Sequence, residues 1–201
     1  MQRRTALQAL VRLTVAASGA ASLAACTESK PQFTSIDLTG ADYARDFSLT
    51  DQNGQRRSLK DFQGKVVVLF FGYTQCPDVC PTTMAELAET KKLLGADGER
   101  LQVVFVTVDP ERDTPQVLKG YMANFDPSFL ALRGTPEELA AMAKDYKVYF
   151  KKVEGKTPTS YSMDHSAASY VYDSRGQLRL YTRYGSGAPA LASDIRLLLK
   201  S

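Results

Sequence analysis

The stretch Lys65 to Met84, KVVVLFFGYTQCPDVCPTTM, decides the fold. Its apolar residues 66–71 run without alternation between two glycines, which is typical of a strand covered on both faces. Pro81 lies where a helix is expected to begin, because the first residue of a helix does not need the N–H that proline lacks. The stretch therefore predicts a buried central strand followed by a helix, with Cys76 and Cys80 at the junction.

Cys80 lies close to the N-cap of the predicted helix. Free backbone N–H groups and the positive end of the helix dipole stabilise a thiolate relative to a thiol at such a position. The sequence therefore predicts that Cys80 is easily deprotonated.

Two sulfurs four residues apart allow two kinds of chemistry. One is a reversible disulfide. The other is a shared metal ion: two thiolates favour Cu(I), and an added neutral imidazole also accommodates Cu(II). The only histidine of the chain, His165, lies far along the sequence, so the fold alone could bring it to the sulfurs. A structural disulfide with an unrelated histidine is the plainest alternative, although closing so short a loop would stabilise little.

The first 25 residues have the pattern of a lipoprotein signal peptide. A basic start at Arg3 and Arg4 precedes a small, apolar run, which ends in LAAC at residues 23–26. This pattern predicts cleavage before Cys26 and attachment of lipid to its sulfur. The apolar run is short and interrupted, so a membrane-spanning helix fits less well. Polar residues follow, so we expect residues 26–42 to be a flexible tether and residues 43–201 to form one folded domain.

The amino-acid composition limits the cellular compartment and the binding partners that are expected for this protein. If Cys26 carries lipid, an even pair of cysteines remains, and in an oxidising compartment such a pair becomes oxidised unless a reductant or a metal holds it. The net charge is +3, and no basic cluster is interleaved with aromatic residues. Nucleic acid is therefore not an expected partner. We expect the domain to be lipid-anchored at the periplasmic face of a bacterial membrane.

The rest of the chain predicts an α/β fold. Leu101 to Val108 is a second apolar run and, with the intervening helix, predicts a right-handed βαβ unit. Helices are expected after Thr114 and Thr135, and an edge segment at 148–153. A loop at 154–164 then leads to His165, a closing hairpin and a last helix. The expected architecture is a thioredoxin-like domain whose central mixed sheet is flanked by helices.

Three motifs resemble, in order, the signatures of the Sco/SenC family, copper-handling proteins of respiratory oxidase assembly. They are GYTQCPDVCPTTM, VTVDPERDTP and YSMDHSAASYVYD, and the likeness extends from about Phe47 to the end of the chain. The resemblance implies that Cys76 and Cys80 are copper-binding sulfurs, that His165 is the third ligand, and that both Cu(I) and Cu(II) are bound. A reversible, redox-active disulfide between the two cysteines remains open.

The resemblance also implies a function. We expect a metallochaperone that delivers copper, either alone or together with reducing equivalents, to the copper-bearing subunit of a respiratory cytochrome c oxidase; whether it is also an enzyme stays open. Other periplasmic copper carriers or thiol reductants would be further partners. The alternative is an extracytoplasmic thiol–disulfide oxidoreductase that uses the CxxxC pair. Asp78 and Asp164 are candidates to support the ligands, with a solvated side chain as the alternative for Asp164, whereas Asp109 and Asp113 are expected to be exposed turn residues without a ligand role.

Overall fold

The computed structural model describes residues 31–157 and 160–200. The chain divides into two units, Met1–Gln32 and Phe33–Ser201, and the second contains the elements described below. The predicted signal peptide and the predicted lipidation site at Cys26 lie outside the described residues. Within the described residues, no helix combines the length and the apolar character needed to cross a bilayer.

The second unit is an α/β domain. Its strands are β1 (Ile36–Asp37), β2 (Leu49–Asp51), β3 (Arg56–Arg57), β4 (Val66–Gly72), β5 (Leu101–Thr107), β6 (Leu130–Arg133), β7 (Phe150–Glu154), β8 (Tyr161–His165), β9 (Ser169–Tyr172) and β10 (Leu178–Thr182). Its α-helices are α1 (Val79–Leu94), α2 (Pro115–Ala123), α3 (Pro136–Tyr146) and α4 (Ala188–Lys200). Short 3₁₀ helices cover Leu59–Phe62 and Gly95–Arg100.

The central sheet is mixed and has the strand order β1-β10-β9-β4-β5-β6-β2-β3. Strands β4, β5 and β6 are parallel neighbours, whereas β9 pairs with β4 in the antiparallel direction. Every residue of β4 and β5 is buried, as expected for strands covered on both faces. The structure confirms the predicted thioredoxin-like fold and places the end of β4, which leads to the cysteines, near the middle of the sheet.

The helices differ little from those predicted. Helix α1 begins at Val79, two residues before the predicted start, because the carbonyl of Asp78 already accepts a helical hydrogen bond from the Thr82 N–H at 3.1 Å. The predicted helix starts at Thr114 and Thr135 are both confirmed as N-caps whose side chains accept a backbone N–H. Helix α1 packs against α4.

The segment before His165 differs from the prediction. Strands β7 and β8 pair with each other as a separate two-stranded antiparallel sheet, in which Phe150 lies opposite His165. The end of the predicted loop is thus a strand, and the predicted edge segment does not join the central sheet. Side-chain alternation explains the strand, because Tyr161, Met163 and His165 are at least partly buried while the two residues between them are exposed.

The folded domain begins earlier than residue 43. Asp194, fully buried in α4, accepts hydrogen bonds from the Thr34 N–H at 2.8 Å, the Thr34 hydroxyl at 2.8 Å and the Ser35 N–H at 2.9 Å. Strand β1 then pairs with β10. A buried carboxylate needs such donors, so the segment from Thr34 onward is part of the domain and is not tether.

Candidate metal centre

The candidate site forms where β4 ends. Cys76 lies in the loop that follows β4 and is half-buried, and Cys80 lies in the first turn of α1 and is fully buried. His165, the last residue of β8, reaches the same place from the separate hairpin. The two sulfurs and one ring nitrogen lie within 4.8 Å of one another, and both thiols are free. The structure thus brings together all three residues that the sequence singled out.

The spacing of the three atoms suits a single metal ion. The Cys80 Sγ lies 3.4 Å from the His165 Nε2. Ligand atoms bonded to one ion at about 2.3 Å for sulfur and about 2.0 Å for nitrogen lie roughly 3.3–4 Å apart. Two sulfurs and one imidazole are also the donor set expected for copper. The residues present therefore fit a copper ion without a large rearrangement.

The hydrogen bond on the far side of the ring orients the imidazole of His165. Nδ1 lies 3.0 Å from the carbonyl oxygen of Ser166. A carbonyl oxygen can only accept, so Nδ1 carries the proton and the lone pair of Nε2 faces Cys80. Burial lowers the pKa of His165, which favours the neutral, ligating form of the ring. The partner of Nδ1 is a backbone carbonyl, which the sequence did not reveal.

The two carboxylates predicted as candidates to support the ligands, Asp78 and Asp164, are both exposed. Asp164 is exposed, and its charge is the smallest of the influences on the pKa of His165. Asp78 is also exposed, and its carboxylate accepts a hydrogen bond from the Thr82 hydroxyl at 3.3 Å. Neither belongs to the cluster of donor atoms in the described part of the chain.

Two aromatic rings enclose the imidazole. Tyr73 and Phe70 meet the His165 ring edge-on, with centroid separations of 5.8 and 6.0 Å. Both are buried. The ring is therefore held by packing on its sides as well as by the hydrogen bond at Nδ1.

The helix N-terminus acts on the other cysteine from the one predicted. The backbone N–H of Cys80 donates to the Sγ of Cys76 at 3.3 Å, so the sulfur of Cys76 accepts a hydrogen bond from the first turn of α1. Burial raises the pKa of the Cys80 thiol, and its contact with Cys76 adds to the shift. The prediction that Cys80 is easily deprotonated was wrong for the metal-free protein, because desolvation outweighs the helix dipole at a fully buried sulfur.

Gly72 allows Cys80 to approach the central strand. A Cβ atom at this position would lie 2.9 Å from the Cys80 Sγ and 2.7 Å from the ring of Phe105. These distances are too short for a carbon atom in a packed core. The sequence signal was a glycine at the end of an apolar strand, which often marks close backbone approach.

Two acidic residues near the cysteine-bearing loop, Asp109 and Asp113, are buried. Asp113 accepts hydrogen bonds from the Thr74 N–H, the Thr74 hydroxyl at 2.6 Å and the Thr107 hydroxyl at 2.5 Å. It thereby fixes the start of the cysteine-bearing loop, and burial raises its pKa. Asp113 is fully buried and Asp109 is 3% exposed. The expectation that both are exposed turn residues was therefore wrong.

The sequence of this chain matches a known protein family. The sequence model of the SCO1/SenC family matches residues 37–200. The SCO2-like protein of Rickettsia felis is 36% identical over 133 residues, which are 66% of this chain and 65% of that protein. The chain thus spans just under two thirds of the length of that relative.

Solved structures show the same fold. Copper-bound ScoI of Bradyrhizobium japonicum is 40% identical with a TM-score of 0.70, and the match covers 76% of this chain and 97% of that one. Copper-bound yeast Sco1 is 35% identical with a TM-score of 0.70, and the match covers 78% of this chain and 87% of that one.

Proposed function

Because this chain belongs to the SCO1/SenC family, we propose that it is a copper chaperone for a respiratory cytochrome c oxidase. Cys76, Cys80 and His165 hold the copper, and the copper-bearing subunit of the oxidase receives it. The observation that carries the proposal is the convergence of two sulfurs and one oriented imidazole nitrogen within 4.8 Å. Copper is bound in the similar structures from Bradyrhizobium japonicum and yeast.

The arrangement of the site suits both the binding of copper and its later release to a partner protein. Two thiolates satisfy Cu(I), and the Nε2 of His165 adds the nitrogen donor that Cu(II) prefers. Binding displaces the thiol protons, whereas the proton on Nδ1 of His165 stays on the ring and remains hydrogen-bonded to the Ser166 carbonyl. Cys76 and His165 are only half-buried, so a donor atom from a partner can approach the ion from their side. Three protein ligands leave a position for that donor, and copper can pass by ligand exchange.

A thiol–disulfide oxidoreductase is the second candidate function. Its support is the position of Cys76, which is the more exposed cysteine and whose sulfur accepts a hydrogen bond from the Cys80 N–H at 3.3 Å, so that the two cysteines lie side by side. Cys80 would then be the resolving thiol, because its sulfur lies within 4.8 Å of Cys76. A periplasmic thiol reductant would restore the reduced, metal-binding form by thiol–disulfide exchange and would itself become oxidised, and another periplasmic copper carrier would then load that form with metal.

We place the protein at the periplasmic face of a bacterial membrane, anchored by lipid on Cys26. Cys26→Ser is expected to remove the lipid, because the modification requires that sulfur, and to release the protein from the membrane fraction. Mass spectrometry of the mature N-terminus and fractionation of cells measure both effects. Ser29→Ala, in the polar segment just after the lipidation site, is the control and should remain lipidated. A mature wild-type chain with an unmodified N-terminus elsewhere would disprove the anchor.

The cellular test separates the two candidate functions. A strain without the protein is expected to lose oxidase activity in low-copper medium. It should regain part of that activity when copper is added, because copper in excess can reach the oxidase without a chaperone. Wild-type protein should restore activity at low copper, whereas the Cys76→Ser/Cys80→Ser double variant should not. Oxidase assay of membranes gives the measurement. Full rescue by a dithiol, with no effect of copper, would favour the oxidoreductase.

A further inference from the structure

The side chain of Arg112 joins three segments that meet beside the candidate metal centre. It lies in the loop after β5, where its Nε donates to the carboxylate of Asp109. Its Nη1 donates to the Gln75 side-chain oxygen at 3.0 Å and to the Tyr161 carbonyl at 2.9 Å. Gln75 precedes Cys76 in the cysteine-bearing loop, and Tyr161 opens β8. One guanidinium therefore contacts both segments that supply ligands.

Tyr161 is held in three ways. The guanidinium of Arg112 lies over its ring, 3.5 Å from the centroid. The Tyr161 hydroxyl donates to the other carboxylate oxygen of Asp109 at 2.9 Å, and its carbonyl accepts from Arg112. The side chain of Arg112 is only 18% exposed, so these contacts are largely shielded from water. The ring, hydroxyl and backbone of one residue are thus fastened to the loop after β5.

The hairpin formed by β7 and β8 depends on contacts like these to hold it against the rest of the domain. In the described residues it forms its own two-stranded sheet, without strand pairing to the central sheet. An isolated two-stranded hairpin is only marginally stable in water. Tyr161 begins β8 and His165 ends it, so a strand fixed at Tyr161 has a defined position at His165.

We propose that Arg112 is a positioning residue for copper binding, which rests on the function proposed above. It holds β8 against the cysteine-bearing loop and thereby keeps the Nε2 of His165 near the sulfurs. Lysine cannot replace it, because a single ammonium cannot stack on Tyr161 and also hydrogen-bond in plane with Asp109, Gln75 and the Tyr161 carbonyl. Within the described residues, the hydrogen bonds of Arg112 go to Asp109, Gln75 and Tyr161 and not to either sulfur, so it acts through the hairpin.

The first test uses metal-free, reduced protein and the signals of the sole histidine. In wild type, nuclear Overhauser effects should connect the His165 ring to Tyr73 and Phe70, and the ring should be the Nδ1–H tautomer. Arg112→Lys is expected to weaken these contacts and to speed hydrogen exchange of the β7–β8 amides. Arg133→Lys is the matched control. Arg133, at the end of β6, donates to the carbonyl of Pro110 at 2.9 Å, and Pro110 lies in the same loop as Arg112. Among the described residues, Arg133 has no hydrogen bond to the β7–β8 hairpin.

The second test adds copper. Arg112→Lys is expected to lower Cu(II) affinity by about tenfold or more, the usual effect of losing a partner that orients a ligand, and to alter the Cu(II) spectrum. Cu(I) affinity should change much less, because two thiolates suffice. If wild type binds no copper, the proposed function fails, whereas the metal-free comparison still decides the role of Arg112.

Unchanged His165 contacts and an unchanged Cu(II) spectrum in folded Arg112→Lys would overturn the proposal. Equal losses in Arg133→Lys would also overturn it, since the effect would then belong to the loop as a whole. If circular dichroism shows that Arg112→Lys is unfolded, Tyr161→Leu decides. That variant removes the stacked ring and the hydroxyl but leaves the Arg112–Asp109 pair, so it must reproduce the loss of His165 contacts.

Discussion

Cys76→Ser and Cys80→Ser are each expected to abolish tight copper binding by the reduced domain, for Cu(I) and Cu(II) alike. A serine hydroxyl is a hard, weakly acidic donor, and one remaining thiolate cannot satisfy a soft ion. We expect a loss beyond the roughly 10–100-fold that accompanies removal of a ligand's orienting partner. Competition with a chromophoric chelator measures Cu(I), and electron spin resonance measures Cu(II).

His165→Ala should separate the two oxidation states. Both sulfurs remain, so Cu(I) affinity should be largely retained, whereas Cu(II) loses its nitrogen donor and should bind more weakly with a changed spectrum. Asp164→Asn is the control, because this neighbouring side chain is exposed and lies outside the donor cluster. Unchanged Cu(II) spectra in His165→Ala would remove the histidine from the site.

Gly72→Ala is expected to have the largest effect among substitutions that leave all three ligands in place. The added carbon would lie 2.9 Å from the Cys80 Sγ and 2.7 and 2.9 Å from ring atoms of Phe105 and Phe70. Overpacking of a core costs about 1–3 kcal/mol of unfolding free energy. Because the sulfur is among the atoms that must move, Cu(I) affinity should fall as well. Urea unfolding and chelator competition measure the two effects.

Gly120→Ala provides the control for that substitution. Gly120 lies in helix α2, and a Cβ atom there would meet nothing within 4 Å. Alanine in a helix is more stable than glycine by about 0.5–1 kcal/mol, so this variant should be unchanged or slightly more stable. Wild-type stability and copper affinity in Gly72→Ala would show that Cys80 does not depend on the absence of a side chain at residue 72.

The central part of the fold was predictable because each signal was local and strong. The unbroken apolar run of β4 could only be satisfied by burial on both faces, and Thr135 with Glu138 formed the expected capping box. The positions of Cys76 and Cys80 followed from the junction of that strand with α1. The two sulfurs of the candidate site were therefore identifiable from this junction, whereas His165 was singled out as the only histidine of the chain and through the family resemblance.

The remaining features depend on contacts between distant segments. The acidity of Cys80 depends on its burial against Gly72, which outweighs the local helix dipole. The orientation of His165 depends on the carbonyl of Ser166, and backbone groups leave no mark on the sequence. Strand β8 could have been predicted, because its residues alternate between buried and exposed from Tyr161 to His165. With only five residues, however, the alternating pattern is short and easy to overlook.

The junction between Thr34 and Asp194 has a consequence for how the domain folds. These residues are 160 positions apart, and β1 covers β10 at the same edge of the sheet. Contacts of such sequence separation carry a high chain-entropy cost and tend to form late. During biosynthesis, Asp194 can receive Thr34 only after nearly the whole chain has been made. Because β1 covers the outer edge of β10, we expect loss of the Asp194 carboxylate to loosen β1 and to expose that edge to pairing with another molecule.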